Sequence, residues 1–382
     1  MNFILTEEQL AVRDAAREFA RHELLPGVID RDEKQFFPSD LLKKMSGLGF
    51  MGMMVDPIYL GSGMDTLSYV IAIEEIARID ASAAVIMSVN NSLVCWPIEK
   101  FASAYLKEKY LKPLASGEKF GAFCLSEPEA GSDATNLKVM AVDKGDHYVL
   151  NGVKNWITNA GIASYYILIA QSAPEKGYKG INAFMVEKDW PGIRLGPKEN
   201  KMGIRGSDTY SIMFNEVIIP RENRIGDEGQ GFKIAMQILN GGRIGIAAQA
   251  LGIAAGAFEL SLKYAQERIS FGTPIFKHQG IQFKLSDMAT LIEAARLLTY
   301  KAACLKDAGK SFVKESAMAK LYASQTAMDV TTEAVQIHGG YGYVKEYHVE
   351  RFMRDAKITQ IYEGTSEIQR LVIGRELTRG NI

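Results

Sequence analysis

Tyr148-Val149-Leu150-Asn151-Gly152-Val153-Lys154-Asn155-Trp156-Ile157 is the stretch where the chain changes its period. Apolar residues alternate there on both sides of Asn-Gly, a pair that tolerates the positive φ angles of tight hairpin turns. The stretch therefore predicts two short strands around a turn. Residues 165–170, 183–186 and 212–214 are apolar runs of strand length and continue the series. Residues 119–230 read as one β-domain. No glycine-rich strand-to-helix turn of dinucleotide-fold spacing occurs in it, so a dinucleotide would be held in another way.

On both sides of this region the period is helical. Thr6 followed by Glu7, Glu8 and Gln9 is a capped helix start with an acidic first turn, and residues 7 to about 30 continue as an amphipathic helix. Helical tracts are expected near 38–48 and 65–112, separated by the breakers Asp56-Pro57-Ile58-Tyr59-Leu60-Gly61-Ser62-Gly63. After Gly229-Gln230-Gly231 the chain is helical again. Ile281, Leu285, Met288, Ile292 and Ala295 form one bundle stripe, and Leu321, Met328 and Val335 another. The expected organisation is α+β and multidomain: a helical domain over 1–118, a β-domain over 119–230 and a helical domain over 231–382.

With 382 residues, 47% of them hydrophobic, the chain can bury a large interior. Its formal net charge of −1 is spread without a long basic block, which argues against a nucleic-acid partner. Cys95, Cys124 and Cys304 lie far apart with no metal-ligand spacing, and read as reduced thiols. Charge appears by Glu7 and Glu8, too early for the apolar stretch of a signal peptide. No uninterrupted apolar run approaches the roughly 20 residues that span a bilayer. The expectation is a cytoplasmic protein without membrane insertion.

Five segments carry chemistry. In Ile361-Tyr362-Glu363-Gly364-Thr365-Ser366-Glu367-Ile368-Gln369-Arg370 a carboxylate stands between an aromatic ring and a glycine, beside a hydroxyl able to cap a helix. Leu125-Ser126-Glu127-Pro128-Glu129-Ala130-Gly131-Ser132-Asp133 offers amides and hydroxyls for a polar ring edge or an anion, and reads equally as a solvated turn. Trp156 and Thr158 would share a strand face, pairing a flat apolar surface with a hydrogen bond. Arg268-Ile269-Ser270-Phe271-Gly272 places a guanidinium for phosphate at a helix end, where arginine also suits the dipole. Gln336-Ile337-His338-Gly339-Gly340 ends another helix on paired glycines. His338 has no second histidine at ligand spacing, so a packing role and no metal is expected.

Together, in this order and spacing, these segments and Met202-Gly203-Ile204-Arg205-Gly206-Ser207-Asp208 resemble the acyl-CoA dehydrogenase family along essentially the whole chain. The resemblance implies an N-terminal helical domain, a β-barrel-like middle domain and a C-terminal four-helix bundle. It also implies FAD as cofactor, a homotetramer built from dimers, and electron-transferring flavoprotein as electron acceptor. By the same resemblance Glu363 is the base that removes the α-proton of an acyl-CoA, with Tyr362 and Gly364 beside the substrate. Some relatives carry the base just before an arginine of the long bundle helix. That position is Gly242 here, which cannot serve, so the resemblance points to Glu363.

Arg243 matches a residue near the CoA chain and the base, and Asn240 stands where several relatives have aspartate. Ser132 matches a CoA-contacting position. Leu125, Ser126, Trp156 and Thr158 match the surroundings of the isoalloxazine, and Thr365 and Glu367 those nearer the adenosine. Arg268, Ser270, Phe271, Gln336, Gly339 and Gly340 match groups that reach FAD across a dimer interface.

The resemblance is nearest to short-chain, butyryl-type enzymes, through Ser88-Val89-Asn90-Asn91-Ser92, Gly241-Gly242-Arg243-Ile244-Gly245 and 361–370. Trp96 departs from it: pointing inward it shortens the acyl cavity, pointing outward it packs between helices. That leaves open a 2-methyl-branched or alicyclic acyl group. Glutaryl-CoA is disfavoured because 88–96 holds no arginine or acidic residue. An acyl-CoA oxidase and a non-catalytic CoA- or FAD-binding protein are the competing classes.

Overall fold

The computed structural model describes residues 4–379, so the part of the N-terminal reading that rests on Met1, Asn2 and Phe3 lies outside the described residues. Helix α1 (Glu7–Phe19) opens as a reciprocal cap: Thr6 Oγ1 accepts the Gln9 amide at 3.2 Å, and Gln9 Oε1 accepts the Thr6 amide at 3.1 Å. The single helix expected to reach residue 30 is broken. A π-helical turn over Ala20–Leu24 runs into Pro26 and Gly27, whose φ of 74° ends it before α2 (Val28–Lys34).

Helix α3 (Ser39–Gly47) precedes the breaker loop. Beyond it, α4 (Thr66–Ala77) and α5 (Ala81–Ser88) are capped by the carboxylates of Asp65 and Asp80. A π-helical stretch, Val89–Cys95, leads into the short helices α6 (Trp96–Phe101), α7 (Ala104–Leu106) and α8 (Lys112–Ala115).

The β-domain contains β1 (Gly121–Cys124), β2 (Met140–Asp143), β3 (His147–Thr158), β4 (Tyr165–Gln171), β5 (Ile181–Glu187), β6 (Ile193–Lys198), β7 (Thr209–Pro220) and β8 (Arg224–Ile225). Their order is β6-β7-β3-β2-β4-β5-β8, with β1 parallel to β4. The sheet is open and not barrel-like: β6 and β8 stand at its two ends and do not pair. Strand β8 is two residues long and pairs only with β5, ending before Gly226 at φ 71°.

Nor is 148–157 a hairpin. Asn151 and Gly152 lie inside one twelve-residue strand, opposite a bulge in β7: Leu150 pairs with Val217 and Gly152 with Phe214, so Asn151 faces both Asn215 and Glu216. Asn151 accepts the Glu216 amide at 2.9 Å, so the extra residue is matched from the facing strand.

Alternation explains why β4 reads as one continuous apolar run. Tyr166, Leu168 and Ala170 enter a core internal to the sheet, while Ile167 and Ile169 join the main helical core. Both faces are covered, so both are apolar.

Helix α9 (Gly231–Glu267) runs through the C-terminal region and packs on α4, α10 (Gln279–Asp307), α11 (Val313–His338) and α12 (His348–Ile358). Helices α9 to α12 make the C-terminal four-helix bundle, and α13 (Ser366–Thr378) packs on α11. In α10 the stripe from Leu285 to Ala295 is buried as expected, with Ile281 half-buried. In α11 the expected stripe of Leu321, Met328 and Val335 is only half-buried. The buried face is Ala319, Ala323, Ala327, Val330 and Ala334, because small side chains let α9 approach closely.

Two helical segments, 81–101 and Gly231–Glu267, are long and apolar enough to cross a bilayer by length and composition. They are 94% and 83% buried inside the fold, as core helices are. Helix α9 meets the sheet where it begins, at Gly231. A Cβ there would lie 2.5 Å from the Asn182 Cα and 2.7 Å from its nitrogen, both fixed in β5. Gly231→Ala is expected to destabilise the protein by about 1–3 kcal/mol, measured by chemical denaturation.

Candidate active site

The turn between α12 and α13 holds the predicted base. Glu363 sits at φ 53° and Gly364 at φ 93°, two successive left-handed residues. For a glutamate that conformation costs on the order of 1–3 kcal/mol, and such strain persists only where neighbours enforce it. Three groups do so here. Gln369 Nε2 donates to the Gly364 carbonyl at 2.7 Å, Lys320 Nζ donates to the same carbonyl at 2.5 Å, and Thr365 Oγ1 accepts the Ile368 amide at 3.4 Å as the cap of α13. The hydroxyl cap expected beside the carboxylate is present.

The residue Glu363 is half-buried overall, yet its Oε2 is closed off from solvent and has no hydrogen-bond partner. Burial pushes the carboxyl up to about 7, against the opposing pull of Lys320 and then Arg243. Oε2 rests against α9 at Gly242, where any Cβ would overlap it and lie 2.8 Å from Leu93 Cδ2. The glycine at the alternative base position is thus what admits the Glu363 carboxylate. Arg243 is buried and lowered to about 10 by that burial; its Nη1 donates to Asn240 Oδ1 at 2.7 Å and its Nε has no partner. Tyr362 Oη donates to Gln249 Oε1, and Gln249 Nε2 donates to the Ala81 carbonyl at 2.8 Å. One turn along α9, Gly245 faces Tyr69 Oη and Ser88 Oγ, themselves 2.9 Å apart.

A second half of the site lies on the β-domain. Leu125 is buried, Ser126 half-buried, and their loop is fastened to β3 by a buried ion pair. Lys154 Nζ lies 2.7 Å from Glu127 Oε1 and donates to the Leu125 carbonyl at 2.8 Å. Glu127 also accepts the backbone amides of Lys138 and Val139, and Asn155 N donates to the Ser126 carbonyl at 2.8 Å. Burial lowers Lys154 to about 8 despite Glu127. Trp156 departs from strand geometry at φ 61° and is 61% exposed, while Ile157 is buried and Thr158 half-buried. An indole left open beside a locked loop is a surface prepared for a flat partner.

The remaining predicted residues divide by place. Ser132 is exposed on its loop and Glu367 exposed on α13. The Trp96 indole meets Phe101 edge-on at 5.7 Å and lies under Lys306 Nζ at 5.6 Å, contacts that favour the packing alternative. Arg268, Ser270 and Phe271 lie beyond the end of α9, together with Gln336, Gly339 and Gly340 beyond or at the end of α11. Arg268 covers the Tyr341 ring at 5.5 Å, and His338 stacks on Tyr264 at 4.3 Å in the packing role expected of it. At about 1.5 Å per residue, α9 separates Arg268 from Gly242 by roughly 39 Å. One chain therefore does not bring these residues to the Glu363 pocket. Phe271 is 96% exposed at φ 51°. Among the described residues no cluster of side chains could hold a metal.

Lys320, Gln249, Leu93, Tyr69 and the Lys154–Glu127 pair were not singled out from sequence. Lys154 had a signal: it shares parity with the inward Tyr148 and Leu150 of β3. The others needed the tertiary structure.

Three family profiles cover the chain: acyl-CoA dehydrogenase N-terminal domain over 6–118, middle domain over 122–217 and C-terminal domain over 229–378. A short-chain-specific acyl-CoA dehydrogenase of Clostridium acetobutylicum is 50% identical over 379 residues, 99% of this chain and 100% of its own length. The butyryl-CoA dehydrogenase structure from Megasphaera elsdenii superposes with a TM-score of 0.98 at 49% identity, covering 99% of this chain and 100% of that one. A chain from structural work on the electron transferring flavoprotein of Acidaminococcus fermentans, concerned with electron bifurcation, matches with the same score, identity and coverage.

Lys154→Met would strand the Glu127 carboxylate without its cation. A loss of about 3–5 kcal/mol is expected in urea denaturation, with much of it recovered when Glu127→Met is added.

Proposed function

Because the chain belongs to the acyl-CoA dehydrogenase family, we propose that it removes the α-proton and β-hydride of a short-chain, butyryl-type acyl-CoA to give the trans-2-enoyl-CoA, with Glu363 as base. The observation that carries this reading is the Glu363 Oε2: sealed, unpartnered and raised to about 7. A general base works best when its pKa lies near the operating pH, and an ordinary carboxylate near 4 is too weak.

The cofactor is FAD, and the chain's own surfaces fit it. The exposed Trp156 indole, the half-buried Thr158 and the loop through Leu125 and Ser126 form one bed, held rigid by Lys154 and Glu127. Bound there, FAD supplies the two-electron acceptor for the β-hydride.

The proton step belongs to the protein. Abstraction shifts charge onto the thioester oxygen, which must then be hydrogen-bonded. The Glu363 N–H donates to no group among the described residues, and so is free for that oxygen. The left-handed turn presents this amide and the carboxylate from one residue.

The wall near the base supports a short acyl chain. Gly242 and Gly245 lie about 4.5 Å apart along α9, and Tyr69 and Ser88 already occupy the space at the second. Leu93 closes in beside Gly242, which disfavours a branched or ring substituent there.

Pairing of two chains, in a dimer of dimers, would complete the FAD site by bringing the 268–272 and 336–340 segments of one subunit to the other. The exposed Phe271 and the roughly 39 Å span of α9 support that assembly. Electrons would then leave to an electron-transferring flavoprotein. Rapid peroxide formation with substrate, unaffected by that partner, would favour an oxidase instead.

Glu363→Gln is expected to keep yellow FAD while losing nearly all α-proton exchange and flavin bleaching; normal turnover would sink the base assignment. Since the base must be ionised, kcat/KM should fall about tenfold per pH unit below about 7 and level off above it. Anaerobic bleaching should be fastest with butyryl-CoA in a series with isobutyryl-, 2-methylbutyryl-, hexanoyl-, glutaryl- and cyclohexanecarboxyl-CoA. A preference for the ring or branched members would overturn the butyryl assignment.

A further inference from the structure

Behind the base turn, on α11, stands a lysine that no step above has used. Lys320 is fully buried, and among the described residues the only hydrogen bond of its side chain runs from Nζ to the Gly364 carbonyl at 2.5 Å. That carbonyl also accepts Gln369 Nε2 at 2.7 Å, so the residue after the base is held from two helices at once. Among the described residues Lys320 forms no ion pair within 4.0 Å, although Glu363 is the first of the charges that act on it, followed by Arg243 and Glu367. A buried ammonium without an anionic partner in contact is costly, and a methionine of similar length would fill the space at less cost. Its retention needs a reason in the site.

We infer that Lys320 is a positioning residue for the base: its ammonium pins the Gly364 carbonyl, fixing the left-handed turn that aims Glu363, and its charge keeps the dry carboxylate ionised without clasping it. The inference rests on the reading of Glu363 as base. The charged and titratable groups facing this carboxylate are Lys320 from α11, Arg243 from α9, Tyr69 from α4 and the neighbouring Tyr362. Of the two cations, Lys320 acts on Glu363 more strongly than Arg243 does. Its removal takes away more of the opposition to burial, so the carboxyl should titrate at higher pH. Burial also lowers Lys320 itself, against the opposing pull of Glu363.

The test is the pH dependence of kcat/KM with butyryl-CoA in the FAD-loaded proteins Lys320→Met, Lys320→Arg and Glu363→Gln. In Lys320→Met the acid limb should move up by about one pH unit, so that activity is lost mainly at low pH. Lys320→Arg, which restores charge, should bring the limb back toward wild type. An acid limb that stays in place, with the rate lowered equally at all pH values or not at all, would show that Lys320 only packs. Should Lys320→Met fail to fold, Lys320→Gln keeps a donor for the carbonyl and lacks the charge. The same displaced limb is expected there, and an unmoved one overturns the inference. The two readings fail separately: an active Glu363→Gln removes the base assignment, whereas an inactive Glu363→Gln with an unmoved limb in the Lys320 variants removes only this one.

Discussion

The site depends on keeping one carboxylate dry. A glutamate in water is too weak a base for an α-carbon proton, and only exclusion of solvent brings it near neutrality. In this protein the exclusion is done by α9 at Gly242, where nothing larger than hydrogen leaves room for Glu363 Oε2. Much of the rest follows from that contact. Glu363 must approach the helix from a strained turn, the turn must be held by Lys320, Gln369 and Thr365, and α12 and α13 must be placed so that it arrives there.

The same helix couples the site to the rest of the molecule through close approach. Gly252 and Gly256 bring α9 against the end of α4, where a Cβ at Gly252 would lie 2.6 Å from Ala77 Cβ and one at Gly256 would overlap the Arg78 carbonyl, and against α12, where the Gly256 Cβ would lie 2.9 Å from the Phe352 ring. Glycine inside a helix costs about 1 kcal/mol relative to alanine, so this spacing is tolerated only because the packing returns more. Helix α4 in turn delivers Tyr69 to the wall beside Gly245, and at its start Gly231 seats α9 on β5. Bundle, sheet and N-terminal helices therefore meet along one element, and Glu363 rests on its face at Gly242.

This geometry also decides what could be read from sequence. The alternation of helical, β and helical regions was legible because each region buries enough apolar surface to impose its own period. Glu363 was legible because its turn carries several unusual residues within ten positions. Closure of the sheet was not legible. It depends on which edge strands pair, and β6 and β8 end the sheet without altering the hydrophobic pattern of either strand. The Asn-Gly of β3 misled for a related reason: the positive φ of Gly152 suits a hairpin turn as well as a continuous strand facing a bulge in β7, and only the register with β7 distinguishes them. Likewise α11 hides its core face behind alanines, whose small size makes a weak stripe but a close contact.

Two buried lysines show how similar parts serve opposite ends. Lys154 and Lys320 are both lowered to about 8 by burial, and each donates to a backbone carbonyl next to the reaction site. Lys154 also holds Glu127 at 2.7 Å, and that carboxylate accepts backbone amides besides. These contacts make Glu127 an anchor for the loop at 125–133. At Lys320 the nearby carboxylate is left without contact, and its Oε2 has no donor at all. A direct ion pair there would have held Glu363 as firmly as Lys154 holds Glu127, at the expense of its affinity for a proton. The difference between a structural acid and a catalytic one lies here in whether the lysine reaches the carboxylate or stops at the neighbouring carbonyl.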